Sequence, residues 1–137
     1  NNDWMDISIC CYNNKTGILE FSGAMQSLYL IRDNSLFEYE GNKFPVAGWQ
    51  IETERNFISH HIHIQQNDTI YLLSDGLSDQ FGGPQNKKFN RRRLKELILS
   101  ISKLSMVKQK EMILHVFNKW KGDKEQVDDI SLIGIKF

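Results

Sequence analysis

The hydrophobic pattern of this chain changes period once, and that change restricts what it can fold into. Over the first half, apolar residues recur at every second position. Met5, Ile7, Ile9 and Cys11 alternate with Asp6, Ser8 and Cys10, which predicts a half-buried strand with the first set facing a core. Asn13-Asn14-Lys15 reads as a turn and Thr16 to Phe21 as the returning strand of a hairpin. Ser22-Gly23-Ala24 interrupts the pattern, Leu28 to Ile31 resumes it, Asp33-Asn34-Ser35 turns, and Leu36 to Tyr39 returns. Residues 41–54, with Pro45 and Gly48, read as irregular loop. Phe57 to Ile64 alternates again, and Thr69 to Leu73 is apolar on both faces, as a strand in the middle of a sheet should be.

Beyond that point the period lengthens. Leu94, Leu97, Ile98 and Ile101 fall on one face of a helix. Ser105 caps a second helix whose apolar stripe is Met106, Ile113, Phe117 and Trp120, with Gly122 at its C-terminal end. Ile130 to Phe137 is a closing strand. Antiparallel strands, two helices and a final strand predict an α+β layered domain, a single unit over residues 1–137.

Composition excludes several classes. The chain has 137 residues, 40% hydrophobic and 25% charged, values of an ordinary globular domain rather than of a disordered or fibrous one. No apolar run approaches the ~20 residues that cross a bilayer. The opening Asn1-Asn2-Asp3-Trp4 has neither the basic region nor the apolar stretch of a signal peptide. The two cysteines, Cys10 and Cys11, are adjacent and staple nothing, which suits a reducing cytoplasm. Net charge is zero, yet residues 1–85 carry 4 Lys/Arg against 11 Asp/Glu, and residues 86–126 carry 12 against 4. The basic stretch is either the solvated face of helices or a field for an anion.

Chemistry-bearing residues stand at strand ends. Asp75 lies in Ser74-Asp75-Gly76-Leu77-Ser78-Asp79, just after the central strand, and Asp128-Asp129 precede the last one. If those two strands are antiparallel neighbours, Asp75 and Asp128 converge at one sheet edge. Converging carboxylates repel unless a cation or a shared proton intervenes, and oxygen-only donors favour Mg²⁺ or Mn²⁺ over Zn²⁺. Against this stands the ordinary use of aspartate in turns and caps; spacing alone does not choose.

A resemblance does. Ile70 to Gly83, centred on Ser74-Asp75-Gly76, resembles the "SDG" segment of SpoIIE-type serine/threonine phosphatases, bacterial relatives of the metal-dependent type 2C phosphatases. Val127-Asp128-Asp129-Ile130-Ser131-Leu132 resembles their terminal Asp-Asp motif. Phe21-Ser22-Gly23-Ala24, Leu28 to Ile31 and Phe44-Pro45-Val46-Ala47-Gly48 are similar to the segments that precede it, and Asp3-Trp4-Met5-Asp6-Ile7 to an Asp-Gly-Met-Asp start of an inner strand. The likeness runs in order through the whole chain.

It implies two packed antiparallel sheets flanked by helices, with two Mn²⁺ or Mg²⁺ ions at one end. By motif position, Asp75 and Asp128 are metal ligands, Asp79 a ligand of a third, weaker ion, and Gly76 and Asp129 support them through backbone or orientation. The implied chemistry is one-step hydrolysis by metal-activated water, with no side chain as nucleophile. The implied substrate is phosphoserine or phosphothreonine on a regulatory protein, and an upstream sensor or signalling module the usual neighbour. One element is absent. Relatives carry a further metal aspartate in a Gly-Asp…Gly-His-Gly segment ahead of everything seen here, so the chain reads as the C-terminal part of such a domain and a weak or inactive catalyst alone. The alternative is a non-catalytic interaction domain that keeps the scaffold.

Other candidates are weaker. His61 and His63 share a strand face but predict no third ligand. Arg91, Arg92 and Arg93, with Lys87, Lys88 and Lys95, lack the interleaved aromatics of a nucleic-acid surface, and the neutral total argues against that partner; beside an acidic site they would steer a phosphoprotein. No membrane insertion is expected. Unpaired strand edges would allow self-association.

Overall fold

Hairpin chemistry and alternating apolar residues build the strands in sequence order. The computed structural model describes residues 3–137; Asn1 and Asn2, part of the segment read for a leader, lie outside the described residues. Strands β1 (Trp4–Met5), β2 (Ile7–Asn13), β3 (Ile18–Ala24), β4 (Leu28–Arg32), β5 (Ser35–Tyr39), β6 (Val46–Ala47), β7 (His60–His63) and β8 (Thr69–Leu73) come first. A short helix α1 (Gly76–Asp79), the strands β9 (Phe81–Gly82) and β10 (Lys87–Lys88), helices α2 (Arg91–Ile101) and α3 (Met106–Lys121), and β11 (Leu132–Lys136) follow. One sheet has the order β11-β8-β4-β5 and the other β2-β3-β7, every pairing within them antiparallel. Thus β8 does lie inside its sheet, between β11 and β4.

Local residues explain the joints. Asp33 and Asn34 both take positive φ between β4 and β5, the two-residue hairpin geometry that Asp and Asn tolerate best after Gly. The Asn90 side chain accepts the Arg93 N–H and starts α2, Ser105 accepts the Lys108 N–H and starts α3, and Gly122 ends α3 with φ 58°.

The two sheets face each other through Leu19, Phe21, Leu28, Leu30, Ile62 and Ile70. The opposite face of the four-stranded sheet packs against α2 and α3 through Tyr29, Ile31, Tyr71, Leu94, Ile98, Ile101, Ile113 and Phe117. Burying each of these large side chains contributes about 1.5–3 kcal/mol. Strand β4 serves both layers, with Leu28 and Leu30 facing the sandwich and Tyr29 and Ile31 facing the helices. The result is the α+β layered domain that the pattern predicted, with the two packed sheets that the resemblance implied. Among the described residues, no helix is long and apolar enough to cross a membrane.

The expected inner face of β2 is reversed. Cys10 sits opposite Phe21 and Tyr12 opposite Leu19, and directly opposed residues share a face. Because Leu19 and Phe21 point into the sandwich, Ser8, Cys10 and Tyr12 lie on that face, Tyr12 at its rim and 42% exposed, while Ile9 and Cys11 lie on the exposed outer face. Met5 belongs to a different strand. Nor does Ser22-Gly23-Ala24 break β3, which runs through Ala24. A Cβ on Gly23 would stand 2.1 Å from the Gln26 carbonyl oxygen, so this glycine admits a close backbone approach instead of ending the strand.

Candidate metal and phosphate site

The register of β8 and β11 brings two acidic loops together. Leu73 at the end of β8 pairs with Leu132 at the start of β11, so the chain leaving one strand runs beside the chain arriving at the other. Ser74 ties them. Its N–H donates to the Ser131 carbonyl at 2.9 Å, its hydroxyl donates to the Asp129 carbonyl at 3.1 Å, and its Oγ accepts the Ser131 N–H at 3.0 Å. Gly76 closes the gap, since a Cβ there would fall 2.3 Å from the Asp129 carbonyl oxygen. Asp75 and the Asp128-Asp129 pair therefore share one rim of the sheet, as follows when the two strands are neighbours.

Each aspartate is held differently. Asp75 precedes α1 without capping it by its side chain, while its carbonyl accepts the Ser78 hydroxyl at 2.8 Å. The Asp128 carboxylate accepts the Asp129 N–H at 2.7 Å. Asp79 stands one turn beyond Asp75, its N–H donating to the Asp75 carbonyl, and its carboxylate is engaged by Lys88 at 3.0 Å. Asp129 enters these contacts through its main chain.

Two contributors escaped the sequence reading. Gln80, fully buried, donates from Nε2 to the Glu125 carbonyl at 2.9 Å and accepts the Val127 N–H on Oε1 at 3.4 Å. Its own carbonyl accepts from Trp120 Nε1 and the Phe89 N–H. It thereby pins the loop leading to Asp128 against α1. A glutamine directly after a motif aspartate carries no signal of burial. The other is Asp6, an exposed residue whose carboxyl is raised above its ordinary value by partial desolvation and then by the charge of Asp75. A third carboxylate is therefore within electrostatic reach, and it lines a cleft with Ser74 and Ser131.

The donors are carboxylate oxygens, which in kind fit a hard divalent cation. Among the described residues, however, no three His, Cys, Asp or Glu side chains converge closely enough to hold a metal ion. The histidines are otherwise employed. His60 meets the Glu40 carbonyl at 2.9 Å and stacks on Phe21, and His61 meets Glu20 at 3.5 Å.

The three arginines part company. Arg92 donates to Glu96 at 3.0 Å. Arg93 lies 4.7 Å over the Trp120 ring and donates to the Phe89 carbonyl. Arg91 lines a narrow cleft together with Asp75, Ser78 and Tyr29.

This architecture recurs in phosphatases. The SiaA-PP2C domain of Pseudomonas aeruginosa superposes with a TM-score of 0.89 at 24% identity, covering 98% of this chain and 52% of that one. The phosphatase domain of the cell fate determinant SpoIIE from Bacillus subtilis gives 0.70 at 10% identity, covering 96% and 57%. RsbX in complex with magnesium gives 0.61 at 14% identity, covering 96% and 55%. The fold is that of the PP2C-type phosphatase domains, and the chain spans about half the length of these solved relatives. No curated protein matches the chain significantly. The family described as stage II sporulation protein E (SpoIIE) matches residues 3–137, and the chain belongs to that family.

Proposed function

We propose that this chain is the C-terminal part of a metal-dependent serine/threonine protein phosphatase domain. The observation that carries the reading is the stitching of the Asp75 and Asp128 loops by Ser74 and Gly76 at one sheet edge. Asp75 and Asp128 would hold two Mn²⁺ or Mg²⁺ ions, with Asp79 exchanging Lys88 for a third, and Gly76 and Asp129 would keep the loops in place. Such ions, when bound, acidify water and offset charge on phosphoryl oxygens. The chain's own work is to converge the carboxylates and keep them from relaxing apart, for which Gln80 and Ser74 are the struts. Crystals of RsbX in complex with magnesium and of the SpoIIE phosphatase domain presoaked in manganese support this choice of ions.

The substrate under this reading is a phosphorylated regulatory protein in the cytoplasm, presented under the control of an upstream sensor or signalling module. The isolated chain is a weak or inactive catalyst, because its carboxylate set is incomplete, and it self-associates through open strand edges. The test is Mn²⁺-dependent phosphate release from a phosphoserine peptide by a longer protein carrying this domain. Activity there, lost by a factor of about 10³ or more in Asp75→Asn, is the expected result. A flat calorimetric response to Mn²⁺ in both the chain and the longer protein would favour the second reading, a non-catalytic interaction domain, to which the lack of a three-carboxylate cluster among the described residues lends weight.

A further inference from the structure

We propose that Arg91, alone among the three consecutive arginines, is the residue that grips the phosphoryl group of the substrate. The inference rests on the phosphatase reading and narrows it to one guanidinium. A guanidinium binds a tetrahedral oxyanion well only when its N–H groups are free and the site lies within reach of its fork. Arg92 fails the second condition, since it does not border the aspartate cleft and its side chain, 87% exposed, pairs with Glu96 on the solvent side of α2. Arg93 does not border it either, being held 4.7 Å over the Trp120 ring and bonded to the Phe89 carbonyl.

Arg91 meets both. Among the described residues it has no carboxylate and no hydrogen-bond partner for its side chain, and it borders the cleft that Asp75 and Ser78 form with Tyr29, Gln26 and Ser27. Its charge is felt inside that cleft. Burial and Glu38 raise the Tyr29 hydroxyl above its ordinary value, and Arg91 acts against them. The neighbouring cation Lys95 is occupied elsewhere, paired with Glu38 over the Tyr29 ring. A single unengaged positive group thus stands at the aspartate rim. The cleft itself has room for no more than a water, so the phosphoryl group would lie at its mouth, between Arg91 and the Asp75 side.

The decisive measurement is the affinity of inorganic phosphate, which does not require turnover. In the longer protein carrying this domain, with Mn²⁺ present, calorimetric titration with phosphate is compared among wild type, Arg91→Ala, Arg91→Lys and Arg92→Ala. The expected result is about a tenfold to hundredfold loss in Arg91→Ala, partial rescue in Arg91→Lys, and an unchanged constant in Arg92→Ala. Mn²⁺ affinity should be the same in all four, which separates lost phosphate contact from a damaged site. Equal phosphate affinity in wild type and Arg91→Ala overturns the inference, as does a wild type that binds no phosphate. If phosphate binding depends on Arg91 while no phosphopeptide is hydrolysed, Arg91 is a phosphate-binding residue and it is the hydrolase reading that falls.

Discussion

At the scale of single residues, the two adjacent cysteines show how an environment divides chemically identical groups. Cys10 faces the sandwich opposite Phe21, and burial pushes its thiol up to about 11. Cys11, one position on, lies on the exposed face. Thiolate is the reactive form, so at pH 8 iodoacetamide should label Cys11 quickly and Cys10 hardly at all, with the Cys10 rate still climbing towards pH 11. Peptide mass spectrometry after timed quenching checks this, and equal rates at pH 8 would refute it. The unfolded chain ionises Cys10 first, so the folded state loses stability as pH rises past the ordinary thiol range. The same lesson applies to Arg91, Arg92 and Arg93, which are interchangeable in the sequence and distinct once Glu96, Trp120 and Asp75 are in place.

At the scale of elements, the rim opposite the aspartates is closed by an ion pair. Arg32 at the end of β4 donates from Nε and Nη2 to Asp68, at 2.9 and 2.6 Å, and also to the His63 carbonyl at 2.7 Å. Asp68 is 1% exposed and accepts the Gln65 N–H as well. One carboxylate therefore joins β4, the end of β7 and the turn into β8. In the sequence, Asn67-Asp68 reads only as a turn. Asp68→Ala would leave Arg32 only the His63 carbonyl and the Gln65 N–H no acceptor, and because Arg32 is partly exposed the cost should fall at the low end of the range for a broken buried pair, about 3 kcal/mol. Urea unfolding measures it, and a loss under about 1 kcal/mol would place the pair among ordinary surface bridges. A second buried polar device, Tyr71 bonded to Gln109, joins β8 to α3, while Gln109 Nε2 also donates to the Leu104 carbonyl at 2.9 Å. Its position among Met106, Ile113 and Phe117 marks it as a core-facing site in helical register, a signal the sequence reading passed over.

At the scale of the molecule, the sandwich is open along one seam. Ile133 and Ile135 sit opposite Leu72 and Ile70, on the side of β11 that faces the sandwich, yet they are 57% and 43% exposed. β11 and β2 are each the outer strand of their sheets, so backbone donors and acceptors lie beside uncovered apolar side chains. Such an edge recruits another strand. The isolated chain should sediment as a concentration-dependent oligomer, and Ile133→Lys should return it to monomer with an unchanged circular dichroism spectrum. A wild-type chain that stays monomeric at every concentration would remove self-association from the reading.

What the sequence determined by itself was everything written in local spacing. The alternation in Thr69 to Leu73, the helical spacing of Leu94 to Ile101, the cap at Ser105, and the order of the aspartate motifs needed only near neighbours along the chain. What the tertiary structure alone decided was everything set by cross-strand register and by partners distant in sequence. Ser8, Cys10 and Tyr12 turn inward because Leu19 and Phe21 lie opposite. Asp6 becomes an acidic neighbour because the start of β2 comes to rest near Asp75. Gln80 becomes a strut because the 125–127 loop happens to pass it. Side-chain period reports that a strand has two faces, but only burial against another layer chooses between them.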